Sequence, residues 1–122
     1  MEEQLIKFET AKLAKEKGFD IKTLNVWADF KLVPPKCREV SASELFQNEY
    51  YAPTQSLLQK WLRDVHNIEV EPCRIDLKGS NNYDCNVEIW KKNNTYSTEY
   101  SVHGKTYEEA LEKGLQEALK LI

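Results

Sequence analysis

The chain has 122 residues, 41% of them hydrophobic and 30% charged, which suits one globular domain and excludes a disordered chain. Seventeen basic against 20 acidic residues leave a net charge of −3, which excludes a whole-protein field able to gather nucleic acid or anionic lipid. Its apolar runs are only a few residues long, which excludes a membrane-spanning helix.

Met1-Glu2-Glu3-Gln4 lacks the basic-then-apolar layout of a signal peptide, so the expected compartment is the cytoplasm. A first helix is expected over residues 2–17, with Leu5, Ile6, Phe8, Leu13 and Ala14 on one stripe and Lys7, Lys12, Lys15 and Glu16 facing water. Gly18 ends it as the residue that tolerates a left-handed backbone, and Phe19 packs back on the last turn. Leu24, Val26, Ala28, Phe30 and Leu32 recur at period two, which predicts one strand ended by Pro34-Pro35. Ser43-Glu44-Leu45-Phe46 suggests a short helical turn.

The second helix follows Pro53 and the N-cap Thr54 and ends near His66-Asn67. Leu57, Leu58, Trp61, Leu62 and Val65 share one face, and Gln55, Gln59, Lys60 and Arg63 lie on the outward side. Ile68 and Val70 then alternate with Glu69 and Glu71. After Pro72 the apolar phase slips by one residue to Cys73, Ile75 and Leu77, which predicts a bulge at Pro72 in an edge strand. Tyr83, Cys85, Val87 and Ile89 form one face of the next strand. Lys92-Asn93-Asn94 is a turn, and Tyr96, Thr98, Tyr100 and Val102 form one face of the returning strand. Thr106-x-x-Glu109 is a capping box, and Tyr107, Ala110, Leu111, Gly114, Leu115, Ala118, Leu119 and Ile122 make the apolar stripe of a closing helix. Gly114 inside that stripe implies close approach to a strand or another helix, since glycine there costs about 1 kcal/mol against alanine.

The order is α-β-α-β-β-β-α. The fold class is α+β: a three- to four-stranded antiparallel sheet with helices packed on one face, in a single domain spanning residues 1–122. The other sheet face stays polar, with Asp76, Asp84, Glu88 and Glu99 as candidates to line it. Exposed Trp90 and an open sheet edge offer a route to self-association.

Chemistry is sparse. Cys37, Cys73 and Cys85 are an odd set without paired spacing, and free thiols are expected in a reducing compartment. Cys73 and Cys85 could meet across neighbouring strands, where two inward thiols are ordinary core packing. His66 and His103 have no H-x-x-x-H or C-x-x-C partner, so neither a metal site nor a Cys–His nucleophile is assigned. There is no G-x-S-x-G, Walker loop or G-x-G-x-x-G. No catalytic, cofactor or metal residue is assigned, and a non-enzyme without cofactor is expected.

Helix, three strands, helix is also the order of double-stranded-RNA-binding domains. Those domains carry lysines at the start of the last helix, where this chain has Glu108-Glu109. Lys91-Lys92 at the hairpin tip, with Lys78 and Lys105, are the alternative nucleic-acid contacts. The stretch Gly104-Lys105-Thr106-Tyr107-Glu108-Glu109-Ala110-Leu111 resembles the strand-to-helix junction of HicB-type antitoxins, largely through its capping box.

A wider resemblance rests on three segments: Leu13-Ala14-Lys15-Glu16-Lys17-Gly18-Phe19-Asp20, then Ala52-Pro53-Thr54-Gln55-Ser56-Leu57-Leu58-Gln59-Lys60-Trp61-Leu62-Arg63, then Thr106-Tyr107-Glu108-Glu109-Ala110-Leu111-Glu112-Lys113-Gly114-Leu115-Gln116-Glu117-Ala118-Leu119. Together they resemble a family of small uncharacterised proteins found in Bacteroides and related gut bacteria, often in prophage-like regions. The resemblance implies a bacterial cytoplasmic or phage-encoded origin and brings no functional residue with it. The expected function is a small non-enzymatic binding or accessory protein acting through an unknown protein partner or as a homo-oligomer such as a dimer, with no membrane role. The candidate partner surface is Gln55, Gln59, Lys60, Arg63 and Trp90, and the alternative is an RNA- or DNA-binding module using Lys91 and Lys92.

Overall fold

A computed structural model of the chain describes residues 4–28, 31–33, 45, 48–77, 80–90 and 96–122. The described residues form three helices and two antiparallel three-stranded sheets, a mixed α+β fold with helices packed on sheet. The chain divides into two compact units, Met1–Thr54 and Gln55–Ile122. The sequence reading draws no boundary at that point because no Gly- or Ser-rich linker marks it. No described helix is long and apolar enough to cross a membrane.

In the first unit, α1 (Phe8–Glu16) starts later than the expected residue 2. Ile6 is fully buried, as its place on the apolar stripe requires, but it is buried from an extended segment. Its N–H donates to Pro53 O at 3.0 Å, and Leu5 bridges Thr54 in antiparallel fashion. A stripe of apolar residues fixes which side chains go inside; it does not fix where the backbone begins to coil. The helix ends as predicted. Gly18 has φ +90°, its N–H donates to Lys15 O, and the N–H of buried Phe19 donates to Ala14 O at 2.9 Å. These are the paired bonds of a Schellman motif.

The strand expected over residues 24–32 is two strands. β1 (Val26–Ala28) pairs antiparallel with β2 (Lys31–Val33), Ala28 opposite Lys31, and on its other side with β3 (Glu49–Tyr51). Period two is the same before and after a tight reversal, so alternation alone cannot reveal the fold-back. Val26 is buried, whereas Leu24 and Leu32 are exposed. Trp27 Nε1 donates to Ile6 O at 2.9 Å, and the rings of Phe8, Trp27 and Tyr50 meet edge to face. Pro34-Pro35 lies outside the described residues, as does most of the expected turn at residues 43–46.

The second unit runs α2 (Gln55–His66), β4 (Ile68–Leu77), β5 (Ser80–Trp90), β6 (Tyr96–Gly104) and α3 (Tyr107–Lys120), with sheet order β4-β5-β6. α3 lies against all three strands, and α2 lies against β4 and α3. α2 stops at His66, followed by Asn67 in the left-handed region at φ 55°, a conformation asparagine tolerates. Leu58, Trp61 and Leu62 are buried as the periodicity requires, each contributing on the order of 1.5–3 kcal/mol before entropy is subtracted. Val65 departs from the reading: it is 57% exposed, at the far margin of the stripe in the last turn.

Two strand expectations are corrected. β4 pairs with β5 in unbroken register through Pro72, which stands opposite Cys85, so the ladder has no bulge there. The phase slip is real but is left uncompensated, and Cys73 is exposed while Ile68 and Val70 are buried. β4 is nevertheless an edge strand, as expected. The bulge is in β6, where the register steps from Tyr100 opposite Val87 to Thr98 opposite Glu88 and leaves Glu99 as the inserted residue. Thr98 therefore comes across from Glu88, and the regular alternation expected through Tyr96, Thr98, Tyr100 and Val102 is interrupted in the ladder at Glu99.

α3 buries Ala110, Leu111, Gly114, Leu115, Ala118 and Leu119, whereas Tyr107 at its start and Ile122, two residues past its end, are exposed. Gly114 sits where a Cβ would collide with Cys85 Sγ and lie 2.9 Å from Val70 Cγ1, which is the close helix-to-strand approach its position implied.

Candidate partner surface

The outward face assigned to α2 is rearranged at its first residue. Gln55 is 4% exposed, and its Nε2 donates to Glu108 O and to Glu112 Oε1, both at 2.9 Å. It clamps the start of α2 to α3, and the buried Glu112 is its partner. Gln59 is half-buried, and its Nε2 donates to Val70 O of β4. Lys60 and Arg63 stay about half exposed or more, with local ion pairs. Lys60 Nζ lies 2.6 Å from Asp64 Oδ2, and Arg63 lies 3.8 Å from Asp64 and 3.6 Å from Glu69. The bond from Lys60 holds the Asp64 carboxyl below its ordinary value. Exposed pairs of this kind add little stability. Of the four α2 candidates, Lys60 and Arg63 remain on an accessible surface, joined by exposed Val65.

The sheet of the second unit separates by parity. Ile68, Val70, Cys85 and Val87 are buried on the helix-covered side, and Glu71, Cys73, Ser101 and His103 are exposed on the alternate positions. Register aligns the alternate positions into cross-strand rows. Cys73, Asp84 and His103 form one row, and Glu71, Asn86 and Ser101 form the next. Glu69 stands opposite Glu88, a like-charge pair that costs stability and that Arg63 offsets from α2. Asp84 and Glu88, named as candidates for this face, are there and half-buried on the central strand. Trp90 stands opposite Tyr96 at the end of the β5–β6 ladder. Lys78, Lys91 and Lys92 lie outside the described residues.

Sequence reading missed the pairing of His103 with Asp84. His103 is in β6, and its Nδ1 lies 3.1 Å from Asp84 Oδ1. An unbulged hairpin would bring Val102 opposite Asp84; the inserted Glu99 shifts His103 into that place. The same corner carries a chain of contacts into α3. Lys113 Nζ donates to His103 O at 2.8 Å and lies 3.4 Å from Glu109 Oε1, while Glu109 Oε2 accepts from Lys105 N–H at 3.2 Å. These bonds hold the Glu109 carboxyl below its ordinary value.

Cys73 and Cys85 do not meet. They lie on opposite sides of the sheet, and both thiols are free. Burial pushes the Cys85 thiol up to about 12, so it stays protonated and inert. His66 packs its ring against Trp61 with the centroids 4.7 Å apart. Among the described residues, no three His, Cys, Asp or Glu side chains gather as a metal would require. Compared with protein-family models, with curated proteins and with solved structures, the chain matches none.

Proposed function

We propose that this chain is a small, non-enzymatic cytoplasmic binding or accessory protein that acts through protein contacts or self-association. Its contact surface is the face of β4-β5-β6 turned away from the helices, with Lys60 and Arg63 of α2 at its margin. The observation that carries this reading is the asymmetry of that sheet. One face is filled by apolar side chains under α2 and α3, and the other holds Glu71, Cys73, Ser101 and His103 in exposed positions around Asp84, Asn86 and Glu88. A pleated strand face is broad and shallow, which suits a macromolecular partner, whereas small molecules are held in concavities. Its carboxylates favour a partner carrying lysine or arginine.

The test is light scattering on size-exclusion fractions, with the absorbance ratio recorded for bound nucleic acid. A dimer or a co-purifying protein, free of nucleic acid and lost in an Asp84→Lys, Glu88→Lys variant that keeps its fold, is the expected result. A monomer with no co-purifying protein would sink the reading.

A second reading, a nucleic-acid-binding module, draws support from the order α2-β4-β5-β6-α3 with both helices on one face of the sheet. Against it, α3 opens with Glu108 and Glu109, which repel phosphate. This reading predicts salt-sensitive RNA or DNA binding abolished by a Lys91→Glu, Lys92→Glu double change. Binding that survives the change would remove it.

A further inference from the structure

Both edges of the β4-β5-β6 sheet carry side-chain bonds from the helices, and these fix the direction of its backbone groups. In an antiparallel ladder the N–H and C=O of one residue point to the same side, and successive residues alternate between the two sides. Gln59 of α2 donates to Val70 O, which turns Val70 away from β5. Pro72, two residues on, shares that direction, and it is the residue with no N–H to offer. Glu69, Glu71 and Cys73 therefore bond to β5 at Glu88, Asn86 and Asp84. β5 is left to meet β6 through Tyr83, Cys85 and Val87, opposite Gly104, Val102 and Tyr100.

That assignment turns His103 and Ser101 outward on β6. Independently, the Lys113 ammonium of α3 donates to His103 O at 2.8 Å, which is an outward carbonyl by this count. Past Ser101 the inserted Glu99 breaks the regular spacing of the edge. Lys113 is itself held by Glu109, 3.4 Å away.

We propose that Gln59 and Lys113 are edge guards. With Pro72 and the Glu99 bulge, they keep a second copy of this chain from adding edge to edge to the sheet. Each edge thus has one helix-borne donor on an outward carbonyl and one backbone irregularity. The inference is independent of the proposed function: contacts through the broad face leave both guards in place.

The experiment compares the full chain with Gln59→Ala, Pro72→Thr and Lys113→Ala, singly and combined, and with Lys120→Ala as a control that removes a helix lysine paired with Glu117 instead of an edge carbonyl. Light scattering over a concentration series gives the mass, and circular dichroism confirms the fold. The combined variant is expected to keep its helix content and to rise in mass by about twofold or more as concentration increases, while wild type and Lys120→Ala keep one mass. A folded combined variant with the wild-type mass throughout would overturn the proposal. Should that variant not fold, amide exchange on wild type decides: Ser101 and His103 are expected to exchange faster than Val102 and Gly104. Equal protection at all four, in monomer or oligomer, would refute the ladder assignment and the guards with it.

Discussion

Gly114 and Cys85 compete for one space. Gly114→Ala gains about 1 kcal/mol of helix propensity, yet the new methyl would strike Cys85 Sγ and lie 2.9 Å from Val70 Cγ1, both fully buried. Overpacking of this kind costs about 1–3 kcal/mol, so the variant is expected to be less stable in urea unfolding. Adding Cys85→Ala is expected to return part of the loss, because it removes one of the two obstructing groups. A Gly114→Ala variant more stable than wild type would show that α3 can lift off the sheet at no cost. The glycine's role was legible in the sequence, since an apolar stripe containing glycine asks for close approach. The roles of Gln55 and Glu112 were not. Both are polar, and periodicity assigns polar residues to water unless a partner is known; here each is the other's partner at 2.9 Å.

Element ends were more legible than strand partners. The C-terminus of α1 follows from Gly18 and Phe19 alone because the Schellman motif is local in sequence. The capping box of α3 was also readable, but its geometry is shifted. Thr106 Oγ1 accepts from Glu109 N–H at 3.1 Å as expected, while Glu109 reaches back to Lys105 N–H, one residue before the cap. Thr106→Ala is expected to cost about 1 kcal/mol, measured by thermal or urea unfolding near neutral pH. The Glu109 carboxyl is held below its ordinary value of 4.5, so it favours the folded state above that pH and ceases to as pH falls through its folded value. The stability difference between wild type and Glu109→Gln should therefore shrink in acid. A difference that persists unchanged below pH 4.5 would remove the charge of Glu109 from the account. The β1–β2 reversal and the Glu99 bulge escaped the sequence reading for one shared reason. Alternation records which face a residue takes relative to its neighbours, but it carries no mark of where the chain doubles back or gains a residue.

At the scale of the whole chain, the two units are built to different lengths, and local stability should follow. Among its described residues, the first unit holds strands of three residues each and a nine-residue helix. The second holds strands of nine to eleven residues and a 14-residue helix with seven buried positions. Opening free energy scales with the apolar surface and ladder bonds that must be lost together, so short elements open at lower cost. The central strand of each sheet is bonded on both sides, which makes Cys85 and Val87 in β5 and Val26 to Ala28 in β1 the matched reporters. Native-state amide exchange in low denaturant is expected to release the β1 and β3 amides first, with β5 and the buried stripe of α3 holding to the global unfolding limit. The patterns of α3 and β5 run long enough to be read in the sequence, whereas β3, Glu49-Tyr50-Tyr51, is too short to carry a period. If β1 and β5 amides exchange with the same free energy across the denaturant series, the chain opens as one cooperative body and strand length does not set the order.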